Sequence, residues 1–126
     1  MQISESDGNL NVSTIVSSSV GFIYLSACHS AAPANSSSSA RGHMYSVGVP
    51  MTVGFKSTVG ADDDYYGELS VINRFDDHLF NYMAGQGKCL SLAINYAAAD
   101  VYYQSVDHYY FGVDSIEYTG GSSYLP

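Results

Sequence analysis

Tryptophan is absent from this 126-residue chain, and Lys and Arg together number only 4. Against 12 Asp and Glu they leave a formal charge of −8. Such a surface repels phosphate backbones, which excludes sequence-independent nucleic-acid binding, and it offers no polybasic membrane anchor. No apolar run reaches the roughly 18 to 20 residues that a bilayer-spanning helix needs. The N-terminal Met1-Gln2-Ile3-Ser4-Glu5-Ser6-Asp7 carries acids where a signal peptide would be basic, so a natural start without a leader is expected. Only two cysteines are present, Cys28 and Cys89, in no metal-ligand spacing. One intramolecular bridge is the most they allow, and they read as two small buried thiols. Charged residues are 13 % of the chain, about half the usual share for a globular domain. Ser, Gly, Tyr and Asn must then supply most of the polar surface.

What is present is an apolar content of 46 %, enough for a packed core. Period-two alternation recurs in short segments rich in Val, Ile, Tyr, Phe and Thr, the pattern of half-buried strands. Leu10 to Val16 alternates, and Val20 to Ala27 is apolar almost throughout, as a strand covered on both faces would be. His43 to Val49, Met51 to Phe55, Tyr65 to Asn73 and Leu79 to Met83 follow. Leu90, Leu92, Ile94 and Tyr96 give the clearest alternation and are expected to point into one core. Val101 to Val106 and Tyr109 to Tyr118 complete the set, with a phase slip near Asp114-Ser115 that reads as a bulge. The expected fold is therefore all-β: a two-sheet antiparallel β-sandwich, jelly-roll or immunoglobulin-like, of about nine short strands. A single domain over residues 1–126 is expected, with an N-terminal arm at 1–10 and a long Ser-rich loop at 28–42.

The search for chemistry yields little with usable spacing. Gly85-Gln86-Gly87-Lys88 looks like a P-loop fragment, but the upstream glycine is missing and Cys89 replaces the Ser or Thr. It reads as a tight turn before a strand at Leu90. Cys28 is followed directly by His29, yet neighbours on a strand point to opposite faces, which works against a thiolate–imidazole pair. No serine lies in a G-x-S-x-G turn. No catalytic residue is expected, and the chain reads as non-enzymatic. Asp62, Asp63 and Asp64 supply hard oxygen ligands in a loop, as a Ca²⁺ site would require. Asp76-Asp77-His78 and Asp107-His108 repeat an acid–histidine pattern that reads as solvated turns. No cofactor other than Ca²⁺ is suggested.

Tyrosine is over-represented, with 12 residues beside 5 Phe. On strands, the doublets Tyr65-Tyr66, Tyr102-Tyr103 and Tyr109-Tyr110 would each turn one ring outward, giving amphipathic contact area. A surface so poor in charge matches the composition of interface cores. In composition the whole chain resembles bacteriophage virion proteins of the decoration, cement or fibre type. That resemblance implies a structural part of a virion or similar particle, made in a host cytoplasm and acting through its own multimerisation, as a trimer, and through contacts with other particle proteins. Met51 to Ser57 with Gly67 to Val71 also looks like a strand pair of jelly-roll sugar-binding domains, and Tyr110 to Tyr118 is similar to their closing strand. The alternative that this second likeness implies is a carbohydrate-binding or receptor-binding module.

Overall fold

A computed structural model describes residues 2–4, 20–57, 71–104 and 115–126. The chain falls into two compact units, Met1–Thr58 with Ser115–Gly120 and Pro126, and Val59–Asp114 with Gly121–Leu125.

The first unit is an α/β layer. Its sheet has four strands in the order β1 (Gln2–Ser4), β2 (Phe22–Ser26), β3 (Met51–Phe55) and β4 (Ile116–Thr119). β1 runs parallel to β2 and β2 parallel to β3, while β4 is antiparallel to β3. Parallel β2 and β3 need a crossover, and α1 (Ala40–Ser46) lies on it. Ser39 caps α1: its backbone is extended and its side chain accepts from the Gly42 N–H. Every residue of β2 and β3 is buried, which accounts for their near-continuous apolar sequence. Alternation still sorts them by face. Ile23 and Leu25 pack with Met44 and Val49 on the α1 side. Tyr24 points the other way and meets Phe55 edge-on at 6.0 Å between ring centres.

The second unit is helical. It contains α2 (Val71–Phe80), a π-helical turn at Asn81–Gly85, and α3 (Leu90–Gln104). Ile72, Phe75, Leu79 and Met83 are buried at helical spacing and form its inward stripe. On α3 the buried stripe is Leu90, Ala93, Ile94, Ala97, Ala98 and Val101. Gly87, with φ at 66°, makes the left-handed turn that lets the chain enter α3.

This architecture overturns the all-β sandwich. The expected strands at His43 to Val49, Leu79 to Met83 and Leu90 to Tyr96 are helical over most of their length. Leu90 and Ile94 are buried, but Leu92 and Tyr96 are 46 % and 44 % exposed, so these four do not share a core face. The alternation misled because α3 builds half of its buried stripe from Ala93, Ala97 and Ala98, small residues that weigh little in a count of large apolar side chains. Of the strand pair resembling sugar-binding jelly rolls, Met51–Phe55 is a strand in a largely parallel sheet, whereas Val71 opens a helix. β2, β3 and a strand near the C-terminus are present; of the expected loop at 28–42, Ala40 to Gly42 instead open α1. The expected strand at Leu10 to Val16 and the bulge residue Asp114 lie outside the described residues. No described helix is long and apolar enough to cross a membrane.

Candidate functional site

Parallel strands deliver their carboxyl ends to one edge of a sheet, where α/β folds gather ligands. At that edge β2 stops at Ser26, and residues 27–32 fold back in a tight turn. Ala32 N–H donates to the His29 carbonyl at 3.1 Å. The turn is fastened to the end of β3, with His29 N–H donating to Ser57 O at 3.2 Å and Ala31 N–H to Phe55 O at 2.9 Å. Buried Ser30 ties both strands together: its hydroxyl donates to Leu25 O at 3.0 Å and accepts from Phe55 N–H at 2.9 Å. Cys28 sits in this turn, half-buried and in no disulfide. The next residue, His29, is exposed and has φ at 58°, a left-handed conformation that few non-glycine residues adopt. Cys28 and His29 are therefore not strand neighbours on opposite faces. They are turn residues at the carboxyl end of β2.

A buried polar network holds the rest of the loop. Arg41, on the first turn of α1, donates from Nε to Glu117 Oε2 at 2.5 Å and from Nη1 to Thr52 Oγ1 at 2.9 Å. The side chains of Arg41 and Glu117 are only 7 % and 11 % exposed. The other carboxylate oxygen of Glu117 accepts from Asn35 N–H at 2.6 Å. Thr52 and Thr119 hydroxyls meet at 2.7 Å, and Thr119 also donates to Pro50 O at 3.2 Å. Arg41 N–H donates to Ser30 O at 2.9 Å. One pair of charges thus links α1, β4 and two points of the Cys28 loop. Close packing completes it: a Cβ at Gly42 would lie 1.9 Å from Ser36 O, and one at Gly54 would lie 3.0 Å from Ser30 Oγ. Sequence reasoning missed this network. The one available signal was scarcity, because Arg41 is among only 4 Lys and Arg residues.

The helical unit carries its own polar cluster. Tyr82 Oη donates to Asp100 Oδ2, and His78 Nδ1 lies 3.4 Å from the same oxygen. Asp100 raises the Tyr82 pKa above 10.0, first by holding the phenol proton in that hydrogen bond and then, after desolvation, by its charge. Tyr96 packs 5.5 Å from the Tyr82 ring, and Lys88 Nζ stands 5.4 Å from the centre of the Tyr96 ring. The acid–histidine pattern at Asp76-Asp77-His78 is therefore on a helix, with His78 facing Asp100 of α3.

Gly85 to Lys88 is a turn, but it leads into a helix rather than a strand. That helix N-terminus is already occupied by the chain itself. Leu90 N–H donates to Ser123 O at 3.0 Å and Ser91 N–H to Gly121 O at 2.8 Å. Cys89, half-buried just before α3, has its pKa lowered below 9.0 by the Leu92 backbone N–H and then by the Ser91 hydroxyl, 3.7 Å from Sγ.

Of the sequence-derived site residues, Asp62, Asp63 and Asp64, and the tyrosines Tyr65, Tyr66, Tyr109 and Tyr110, lie outside the described residues, as does Asp107-His108. Tyr102 and Tyr103 belong to α3, not to a strand, so alternate in–out placement does not apply to them. Among the described residues no three His, Cys, Asp or Glu side chains gather as a metal site. Comparison with family models, with curated proteins and with solved structures gives no match.

Proposed function

We propose that the chain carries a thiol-dependent acyl-transfer site at the carboxyl edge of its sheet, with Cys28 as the nucleophile. The observation that carries this reading is the pinned turn after β2, which holds Cys28 half-buried above the ends of two parallel strands. A thiol adds to a carbonyl as its thiolate. The thiolate adds to an acyl carbonyl, the leaving group departs with a proton, and water releases the acid from the thioester. An α/β scaffold alone decides no chemistry, so the reading rests on this turn.

Labelling with iodoacetamide and turnover of p-nitrophenyl acetate test it. Cys28 is expected to be alkylated faster in the native protein than in the urea-denatured chain. Nitrophenolate release is expected to fall to background in Cys28→Ala. Equal labelling in both states, with unchanged release by Cys28→Ala, would sink the reading.

A second reading keeps the structural role: a non-enzymatic part of a particle such as a virion, working through multimerisation. Exposed aromatic and aliphatic side chains favour it, namely Tyr45, Leu92, Tyr96, Tyr118 and Tyr124 at 38–62 % exposure. The low charged fraction, 13 %, supports it as well. Sedimentation of the purified chain decides it. A concentration-independent monomer, unable to join stripped particles, would end this alternative.

A further inference from the structure

A surface helix ordinarily carries one apolar face, but α3 is apolar nearly all round. Ser91, Asn95, Asp100 and Gln104 are its only residues outside the aliphatic and tyrosine set. Its buried stripe faces inward, yet Leu92, Tyr96 and Ala99 are exposed. Their spacing of four and then three residues is that of a helix–helix seam. Asn95, also exposed, turns its amide back to Ser91 O of its own helix at 3.0 Å. A helix apolar on every side is one that an assembly buries.

Two opposite charges border this seam. Lys88 stands at its N-terminal end, half-buried, with Nζ 5.4 Å from the centre of the Tyr96 ring. Asp100 stands at the C-terminal end, four residues past Tyr96, with its side chain 34 % exposed. Tyr82 of α2 joins the two ends, its ring against Tyr96 and its hydroxyl on Asp100. The face is thus positive at one end, negative at the other and apolar between. Turned end for end, it complements itself.

We propose that this face of α3 binds the same face of a second copy of the chain, as an antiparallel helix pair about a two-fold axis. The proposal rests on the reading of the chain as a multimerising part. In a two-fold contact the same patch serves both copies, so each pairing occurs twice. Lys88 of each copy meets Asp100 of the other, and Leu92 and Tyr96 of both copies close the seam between them. Charge also selects the direction. A parallel pair would set Lys88 against Lys88 and Asp100 against Asp100.

Sedimentation of the purified full chain at about 0.15 M salt tests this by exchanging the charges. The unmutated chain is expected to dimerise with rising concentration. Lys88→Glu and Asp100→Lys, each alone, are expected to dimerise about tenfold more weakly, because each opposes like charges at both ends. Asp100→Lys lowers the net charge of the chain, so an association governed by general repulsion would instead strengthen. The double variant restores both pairs in the reverse sense and should dimerise like the unmutated chain. Single variants that weaken nothing, or a double variant no better than either, would overturn the proposal. Should Asp100→Lys fail to fold, Leu92→Arg decides it. Its melting temperature in dilute solution should be unchanged and its dimer lost, and a surviving dimer would overturn the proposal. An unmutated chain that stays monomeric overturns it as well. The structural reading falls with it only if that monomer also fails to join stripped particles, whereas self-association indifferent to these variants leaves that reading standing.

Discussion

Leu90 and Leu92, two positions apart on α3, lie on opposite sides of it: Leu90 is fully buried and Leu92 is 46 % exposed. Residues two apart share a face on a strand but are about 200° apart around a helix. Leu90→Ala should therefore destabilise the protein by about 2 to 5 kcal/mol. Leu92→Ala should stay within about 0.5 kcal/mol, the usual surface range. Urea denaturation of the two variants checks this, and equal losses would contradict the helical assignment.

Arg41 and Glu117 should behave as a unit. Glu117→Ala leaves a guanidinium nearly buried and a loop amide without its acceptor, at a cost of about 3 to 5 kcal/mol. The double replacement Arg41→Met with Glu117→Leu should cost clearly less than the two single changes together. A double-mutant cycle by chemical denaturation reads the coupling, and strict additivity would show that the pair is not energetically linked.

Gly42→Ala should be among the most damaging single-carbon additions in the chain. The added Cβ would meet Ser36 O at 1.9 Å, and that atom belongs to backbone. Relief requires the loop or α1 to move, at about 3 kcal/mol or more. Thermal melting measures it. An unchanged melting temperature would mean that Ser36 does not sit against α1.

Tyr82 should titrate late. Its pKa is raised in the folded state by the hydrogen bond to Asp100. A raised folded pKa means that the stabilisation is fully present below the unfolded value near 10.0 and is lost as pH climbs through the folded value. The melting-temperature gap between the unmutated protein and Tyr82→Phe should be constant from pH 7 to 9 and close above it. Difference absorbance at 295 nm should place the Tyr82 transition above 10.0. A transition at or below that value would remove the hydrogen bond from the account.

Cys89 should ionise early. The Leu92 N–H and the Ser91 hydroxyl favour its thiolate. In a Cys28→Ala background, the midpoint of alkylation rate against pH should lie lower in the folded chain than in urea. Identical midpoints would show that the α3 N-terminus leaves the thiol unperturbed.

Local sequence determined β2 and β3 and the turn at Gly85 to Lys88. Strands buried on both faces read as unbroken apolar runs, and a left-handed glycine marks a turn wherever it occurs. The loop after β2 was legible too, because a Ser-rich stretch between apolar runs has no stripe to bury. Only tertiary structure decided that Leu90 to Tyr96 is helical. Its period-two pattern of large side chains and its 3.6-residue pattern with alanines included are both present, and packing against α2 selects the second. Parallel pairing of β2 with β3 was equally invisible, since alternation records burial and not strand direction. The Arg41–Glu117 pair spans 76 residues, and no local period encodes a contact of that range. Cys28 could be read as a residue, but its turn could not. Its place above the sheet edge depends on hydrogen bonds to β3, which exist only once the parallel strands lie side by side.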